Sequence, residues 1–183
     1  APLLPAELAA EGRARIQGRF QATGPVLTGK ATAEVPSGRL TLPAGQGRRE
    51  TLDLSGTRVA LDAAASGLQA RATLPVQGLA DLKAELRLPG WRLAVPTAPA
   101  QRLDGRLQAR VTGLARLARL VPDLDQVTGE LEADLGLGGT LGQPRLNGRA
   151  SLSGAGFELP YYALRVSQLD LDLRSVTAER MEL

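Results

Sequence analysis

Five carboxylates recur at alternate positions in two short stretches, Glu130, Glu132 and Asp134, then Asp170 and Asp172. Paired carboxylates can divide acid and base work, or share a divalent cation, when a fold turns two of them towards one point. Alternate spacing argues for something plainer. Residues i and i+2 of a strand share a face, and Arg, Thr and Gln occupy the same face here. Cross-strand charge pairs on a solvated surface are the expected role, each worth roughly a few tenths of a kcal/mol. No loop has the ligand spacing of a calcium EF-hand. The chain has no His and no Cys, which removes His-based triads, thiol nucleophiles and the usual zinc sites. Gly138-Gly139-Thr140 and Gly154-Ala155-Gly156 lack the Lys and the following helix of a phosphate loop. These residues describe a protein that is not an enzyme and takes no cofactor or metal.

Composition narrows the field further. Apolar residues make up 43% of 183, but aromatics only 3%, so the apolar surface is mostly Leu, Val and Ala. The net charge of +3 comes from 22 basic and 19 acidic residues that are interspersed. Nucleic-acid binders cluster their basic residues and add aromatic stacking platforms, so that class is set aside. No stretch approaches the roughly 18 apolar residues of a membrane-spanning helix. The absence of Cys fits an oxidising compartment without demonstrating one. The sequence opens at Ala1 and closes at Leu183 in mid-pattern, as expected of one stretch of a longer, elongated protein, read as a single fragment over 1–183.

What must position these residues is a set of strands, because the dominant signal has period two. Ala14, Ile16, Gly18, Phe20 and Ala22 alternate with Arg13, Arg15, Gln17, Arg19 and Gln21. The same alternation runs through Leu27 to Val35, Leu68 to Val76, Leu82 to Leu88, Leu103 to Val111, Val127 to Leu135, Leu146 to Leu152 and Leu169 to Leu173. Each run makes one wet and one dry face, the pattern of an antiparallel sheet with water on one side. Breaks are expected at Gly24-Pro25, Pro36-Ser37-Gly38, Pro43, Pro89-Gly90, Pro96 to Pro99, Gly138-Gly139 and Pro144, leaving strands of about 5–11 residues. Leu114, Leu117, Leu120, Val121 and Leu124 recur instead at helical spacing and predict one short amphipathic helix near 114–121, packed on a sheet edge or end.

Two halves of the chain echo one another. Leu4-Pro5 and Val121-Pro122 are followed seven residues on by Gly12 and Gly129; Gly24-Pro25-x-Leu27-x-Gly29 answers Gln143-Pro144-x-Leu146-x-Gly148; Leu52-Asp53-Leu54 answers Leu169-Asp170-Leu171. The offset stays near 117–119 residues, which predicts an internal repeat over about 4–54 and 121–171 and an elongated structure.

About ten strands at ~4.8 Å spacing, with ~20 Å of apolar stripe on each, give a dry face on the order of 1,000 Å². Soluble monomers rarely expose more than roughly 300–600 Å² in one patch. The face is therefore either closed into a sandwich or barrel core or held as a groove for something apolar; alternation alone does not separate the two, and the closed core is favoured as the commoner solution.

A resemblance bears on that choice. Leu114-x-x-Leu117-x-x-Leu120-Val121-Pro122-Asp123-Leu124, Gly129-Glu130-Leu131-Glu132-Ala133-Asp134-Leu135, Gly139-Thr140-Leu141-x-x-Pro144-x-Leu146-x-Gly148, and Phe157-x-Leu159-Pro160 to Leu169-Asp170-Leu171 together resemble the TamB family of AsmA-like bridge proteins. The resemblance covers about 103–173, and more weakly 12–54 through the repeat. It implies an all-β, elongated, curled antiparallel sheet shaped as a half-pipe with an apolar inner groove. It also implies a periplasmic location within an inner-membrane-anchored protein of a Gram-negative bacterium. The function implied is movement of phospholipid to the outer membrane and, with an outer-membrane TamA-like partner, outer-membrane protein assembly. On that reading Ile16, Phe20, Leu27, Leu86, Leu107, Val111, Leu131, Leu135, Leu146, Leu152, Phe157 and Leu171 line the groove and meet phospholipid acyl chains. The alternative is a scaffold whose sheet edges pair with the β-strands of outer-membrane proteins.

Overall fold

The computed structural model describes residues 9–44, 48–93, 99–118, 125–177 and 180–182. Leu4-Pro5, Pro96, Leu120 and Val121-Pro122-Asp123-Leu124, all used in the sequence reading, lie outside them. Eleven strands belong to one antiparallel sheet. They are β1 (Ala9–Thr23), β2 (Val26–Ala44), β3 (Arg48–Asp53), β4 (Thr57–Ala64), β5 (Gly67–Val76), β6 (Ala80–Pro89), β7 (Asp104–Val111), β8 (Asp125–Gly139), β9 (Pro144–Leu159), β10 (Leu164–Thr177) and β11 (Arg180–Glu182). Sequence neighbours pair throughout except that β2 holds two partners along one edge, β4 with 29–35 and β3 with 39–44. The sheet is open and does not close into a barrel.

The turns form where the chain can reverse cheaply. Gly24 takes φ 57° between β1 and β2, Gly78 takes 67° between β5 and β6, and Gly139 takes 87° at the end of β8, values open to glycine at no steric cost. One helix, α1 (Leu114–Ala118), follows β7. It begins where the spacing predicts.

The strands run longer than expected, up to 19 residues in β2 and 16 in β9. The break anticipated at Pro36-Ser37-Gly38 is instead a bulge inside β2: the register against β1 shifts between Arg13 and Arg15 while the strand continues. A bulge leaves one residue unpaired, so a proline without an N–H can sit there without costing a ladder bond. Pro43 likewise lies within β2, one residue from its end. Three more bulges fall on adjacent strands. Gln126 on β8, Gly154 on β9 and Gln168 on β10 have φ of 50°, 57° and 56°, where the pairing registers slip. Each bulge bends its strand and increases local twist, so bulges on neighbouring strands curl the sheet rather than kink one strand.

A small core sits towards one rim. Leu52, Val76 and Leu79 are buried there, packed against Leu40, Leu42, Leu54, Leu74 and Ala80. Elsewhere the sheet is a single layer, and no large side chain among the described residues is fully buried.

Candidate functional site

Cross-strand register decides which face each side chain joins. Ile16 stands opposite Ala33, Phe20 opposite Gly29 and Ala22 opposite Leu27. Leu86 meets Gly105, and Val111 meets Ala80. Leu107 meets Leu135; Leu131 meets Leu152 and Leu137 meets Leu146; Leu152 meets Leu171. With the alternation along each strand, these pairs put the apolar residues named from sequence on one face running from β1 to β10. Phe157 joins them for a reason that alternation misses. It is five residues from Leu152, so a straight strand would turn it to the opposite face. The bulge at Gly154 absorbs one residue, and Phe157 pairs with Val166 two positions beyond the Ala155–Leu169 pair. Asp170 holds that bulge, its Oδ1 accepting a hydrogen bond from the Gly154 N–H at 2.6 Å.

This face is uncovered. Ile16 is 76% exposed, Leu146 55%, Phe20 44%, Leu107 41% and Leu171 38%. Leu27, Leu86, Leu131, Leu135, Leu152 and Phe157 are half-buried by their neighbours in the sheet. Val111 is the exception, at 7% exposed, beside the start of α1. Val59 and Leu61 of β4, which the sequence reading passed over, extend the face at 37% and 36% exposed. Their run, Val59-Ala60-Leu61-Asp62-Ala63-Ala64, is alanine-rich enough to blur the alternation.

α1 bounds the face at one rim through Arg116. Its Nε donates to Glu50 Oε1 at 2.7 Å, its Nη1 to the Gln77 carbonyl at 2.8 Å and its Nη2 to the Thr51 carbonyl at 2.8 Å. Glu50 is opposite Leu42 on β2, hence on the apolar side of the sheet, and only 8% exposed. One guanidinium thus ties the β7–β8 connection to β3 and to the β5–β6 turn. Sequence showed the helix but gave no sign of this tie, because the partners lie 66 and 39 residues away.

The opposite face is ionic. Lys30 pairs with Asp62 at 3.0 Å, Arg58 with Glu34 at 2.7 Å, and Arg110 with Glu132 at 2.9 Å. Arg106 grips Asp134 with both ends of its guanidinium, Nε to Oδ1 at 2.7 Å and Nη2 to Oδ2 at 2.5 Å. The hydrogen bond from Arg106, and then its charge, hold the Asp134 carboxyl below its ordinary range. Arg87 does the same for Glu85, aided by Gln69 and Arg71. The Ser55 hydroxyl and N–H lower Asp53. A hollow of about 990 Å³ opens between these long side chains, lined by Glu85, Arg87, Asp104, Arg106, Asp134, Asn147, Arg149 and Arg174. Among the described residues, no group of three or more carboxylates is placed to hold a metal.

Fold and faces define a class: an open, one-layered, curled antiparallel sheet with an apolar face and an ion-paired back. The family model described as TamB, N-terminal domain, matches residues 1–152, and the chain belongs to the TamB family. That family takes part in outer-membrane assembly, and its members are transport and assembly proteins, anchored in the inner membrane and spanning the periplasm. No helix among the described residues is long and apolar enough to cross a membrane. No curated protein and no solved structure matches the chain.

Proposed function

We propose that the uncovered face carries phospholipid acyl chains along a periplasmic stretch of the full-length protein, towards an outer membrane built with a TamA-like partner. The observation that supports this most is the continuity of the face, with apolar side chains paired edge to edge from β1 to β10 and left open to solvent. Leu, Val and Ala offer an acyl chain dispersion contacts without directional demands, so a chain could shift along the face without breaking specific bonds. Because Leu107 is already 41% exposed, Leu107→Arg introduces a charge that can reach water and leaves the fold intact. Native mass spectrometry of the purified chain should find co-purifying phospholipid, lost in Leu107→Arg and in Leu135→Asp. A folded, monodisperse and lipid-free wild-type chain would sink the proposal.

The repeat supports an elongated conduit made by copying. β1–β2 and β8–β9 are both long hairpins, and Gly29 and Gly148, equivalent in the repeat, have similar φ of 143° and 132°. At each, a Cβ would fall on a carbonyl oxygen of the neighbouring strand, Arg19 or Asp134. The bulge at Pro36 in β2 also lies 118 residues before that at Gly154 in β9.

A second reading, pairing with the strands of other proteins at the sheet edges, draws on β1. This 15-residue strand is exposed along its whole length, with no described strand on its outer side.

A further inference from the structure

We propose that Tyr161 and Tyr162 receive the ammonium-bearing headgroup of a phospholipid whose acyl chains lie on the apolar face. The inference rests on the acyl-chain reading above and adds which headgroup the protein prefers. Two Phe, two Tyr and one Trp are all the aromatic residues of the chain, yet both tyrosines stand side by side in solvent. They sit in the 3₁₀ turn Pro160–Tyr162 between β9 and β10 and are 83% and 72% exposed. The ring of Pro160 fixes its own φ, and the Ala163 N–H closes the turn on the Pro160 carbonyl at 3.1 Å. The two tyrosine rings meet edge to face, with centroids 5.0 Å apart and planes at 83°. Burial does not account for them, since neither ring is covered.

The turn stands where the apolar face runs out. Beyond the bulge at Gly154, Phe157 pairs with Val166 and Leu159 with Leu164, with no register shift between the two pairs. By alternation these four residues carry the apolar face up the hairpin, and Leu164 is left 47% exposed. The tyrosines follow directly, so the hairpin grades from aliphatic side chains and Phe to rings that end in hydroxyls. A phospholipid has the same gradient. With its tails along Phe157 and Leu164, its headgroup reaches the tyrosines, whose apolar body and polar tip suit that boundary. A strand added on the outer side of β10 would pair with residues from 164 onward and lie beside the turn, not over it. The rings also select the headgroup. An aromatic face is negative and attracts a cation within about 6 Å of its centroid. Two rings at right angles form a corner in which one ammonium lies against both faces. The charged residues flanking the turn, Glu158 and Arg165, are bound to each other, so Arg165 is already engaged and does not fill the corner.

The test offers the intact 183-residue chain lyso-phosphatidylethanolamine and lyso-phosphatidylglycerol of one acyl length, in equal amounts below their critical micelle concentrations. Native mass spectrometry reads the ratio of the two bound lipids. Replacing both rings, Tyr161→Leu with Tyr162→Leu, should shift that ratio about threefold or more towards the glycerol headgroup, with lipid still bound. Wild type and variant share the net charge of +3, so the comparison isolates the rings from the general pull of a basic protein on an anionic lipid. Tyr161→Phe with Tyr162→Phe should keep the wild-type ratio, because the ring face and not the hydroxyl holds the cation. A ratio untouched by the Leu variant overturns the proposal and leaves acyl-chain binding standing. A Phe variant that behaves like the Leu variant also overturns it, since the preference would then belong to a hydroxyl hydrogen bond. Loss of all lipid from the Leu variant does the same, placing the rings among the groups that grip the tails. A wild-type chain that binds neither lipid overturns the acyl-chain reading, and this inference with it. Flotation with liposomes of both headgroups covers the remaining case: a wild type that floats and a Leu variant that does not would give the turn to a bilayer surface instead.

Discussion

At the scale of single residues, the charged face predicts how the fold responds to acid. Asp53, Glu85 and Asp134 are each held below the ordinary carboxylate range by hydrogen bonds to the charged form. A carboxyl depressed in the folded state stabilises it at pH above the unfolded value, and loses that contribution as pH falls through the lower folded value. The urea midpoint should be flat from neutrality to about pH 5 and drop below about pH 4. Asp134→Asn, which cannot titrate, should show a shallower acid limb, and a wild-type midpoint unchanged down to about pH 2 would refute the account. The glycines give a sharper contrast. Gly148 combines φ 132° with a neighbouring carbonyl where a Cβ would sit, whereas Gly138 has nothing within 4 Å. Gly148→Ala should cost about 2 kcal/mol, and Gly138→Ala stay within ~0.5 kcal/mol, both read by chemical denaturation. Except at Phe157, where the bulge at Gly154 shifts the parity, alternation alone revealed which of the named side chains share a face, since period two needs no tertiary information. It could not reveal that Gly148 is strained and Gly138 free, because the difference lies in the neighbouring strand, where the Asp134 carbonyl meets Gly148 and nothing meets Gly138.

At the scale of elements, sequence located most strands and the start of the helix but misplaced several ends. Proline and glycine read as stops at Pro36-Ser37-Gly38, where the chain makes a bulge and continues. A bulge and a turn call for the same residues, and only the partner strand distinguishes them. What α1 does was also hidden, since five helical residues hold their place by contacts rather than by propensity. Arg116 supplies those contacts, and its side chain is 28% exposed against 10% for Glu50. Removing it leaves a mostly buried carboxylate and two backbone carbonyls without this donor. Arg116→Ala should therefore destabilise the chain by about 2 kcal/mol. Arg116→Lys should recover little, because an ammonium cannot span three acceptors with the planar geometry of a guanidinium. Hydrogen exchange gives the local readout: amides of β3 and of the β5–β6 turn should lose protection in Arg116→Ala while those of β9 keep theirs. Uniform loss across the sheet would mean that α1 supports the whole fold rather than one rim.

At the scale of the molecule, the arrangement leaves an unusual amount of surface in water. The accessible surface is 12880 Å², against roughly 8,400 Å² for a compact monomer of this mass. A single-layered sheet explains the excess, since one face of each strand has nothing packed on it beyond the small core around Leu52, Val76 and Leu79. The sequence left this point open, because a strand that lines a sandwich core and one that lines an open trough alternate identically. The difference lies in whether a second layer exists. Surface that is wet in the folded state contributes nothing when the chain unfolds, so the heat-capacity change of unfolding should fall clearly below the usual ~12–15 cal/mol/K per residue. The same open face should make stability depend on apolar ligand. A molecule that binds only the folded state raises its stability by RT ln(1 + [L]/Kd), about 2.7 kcal/mol at a hundredfold excess over Kd. Differential scanning calorimetry with lyso-phospholipid below its critical micelle concentration should thus show Tm rising with concentration in the wild type and flat in Leu107→Arg. An ordinary heat-capacity change with no shift in Tm would mean that the face is covered in solution, and a trough that is already covered cannot carry lipid.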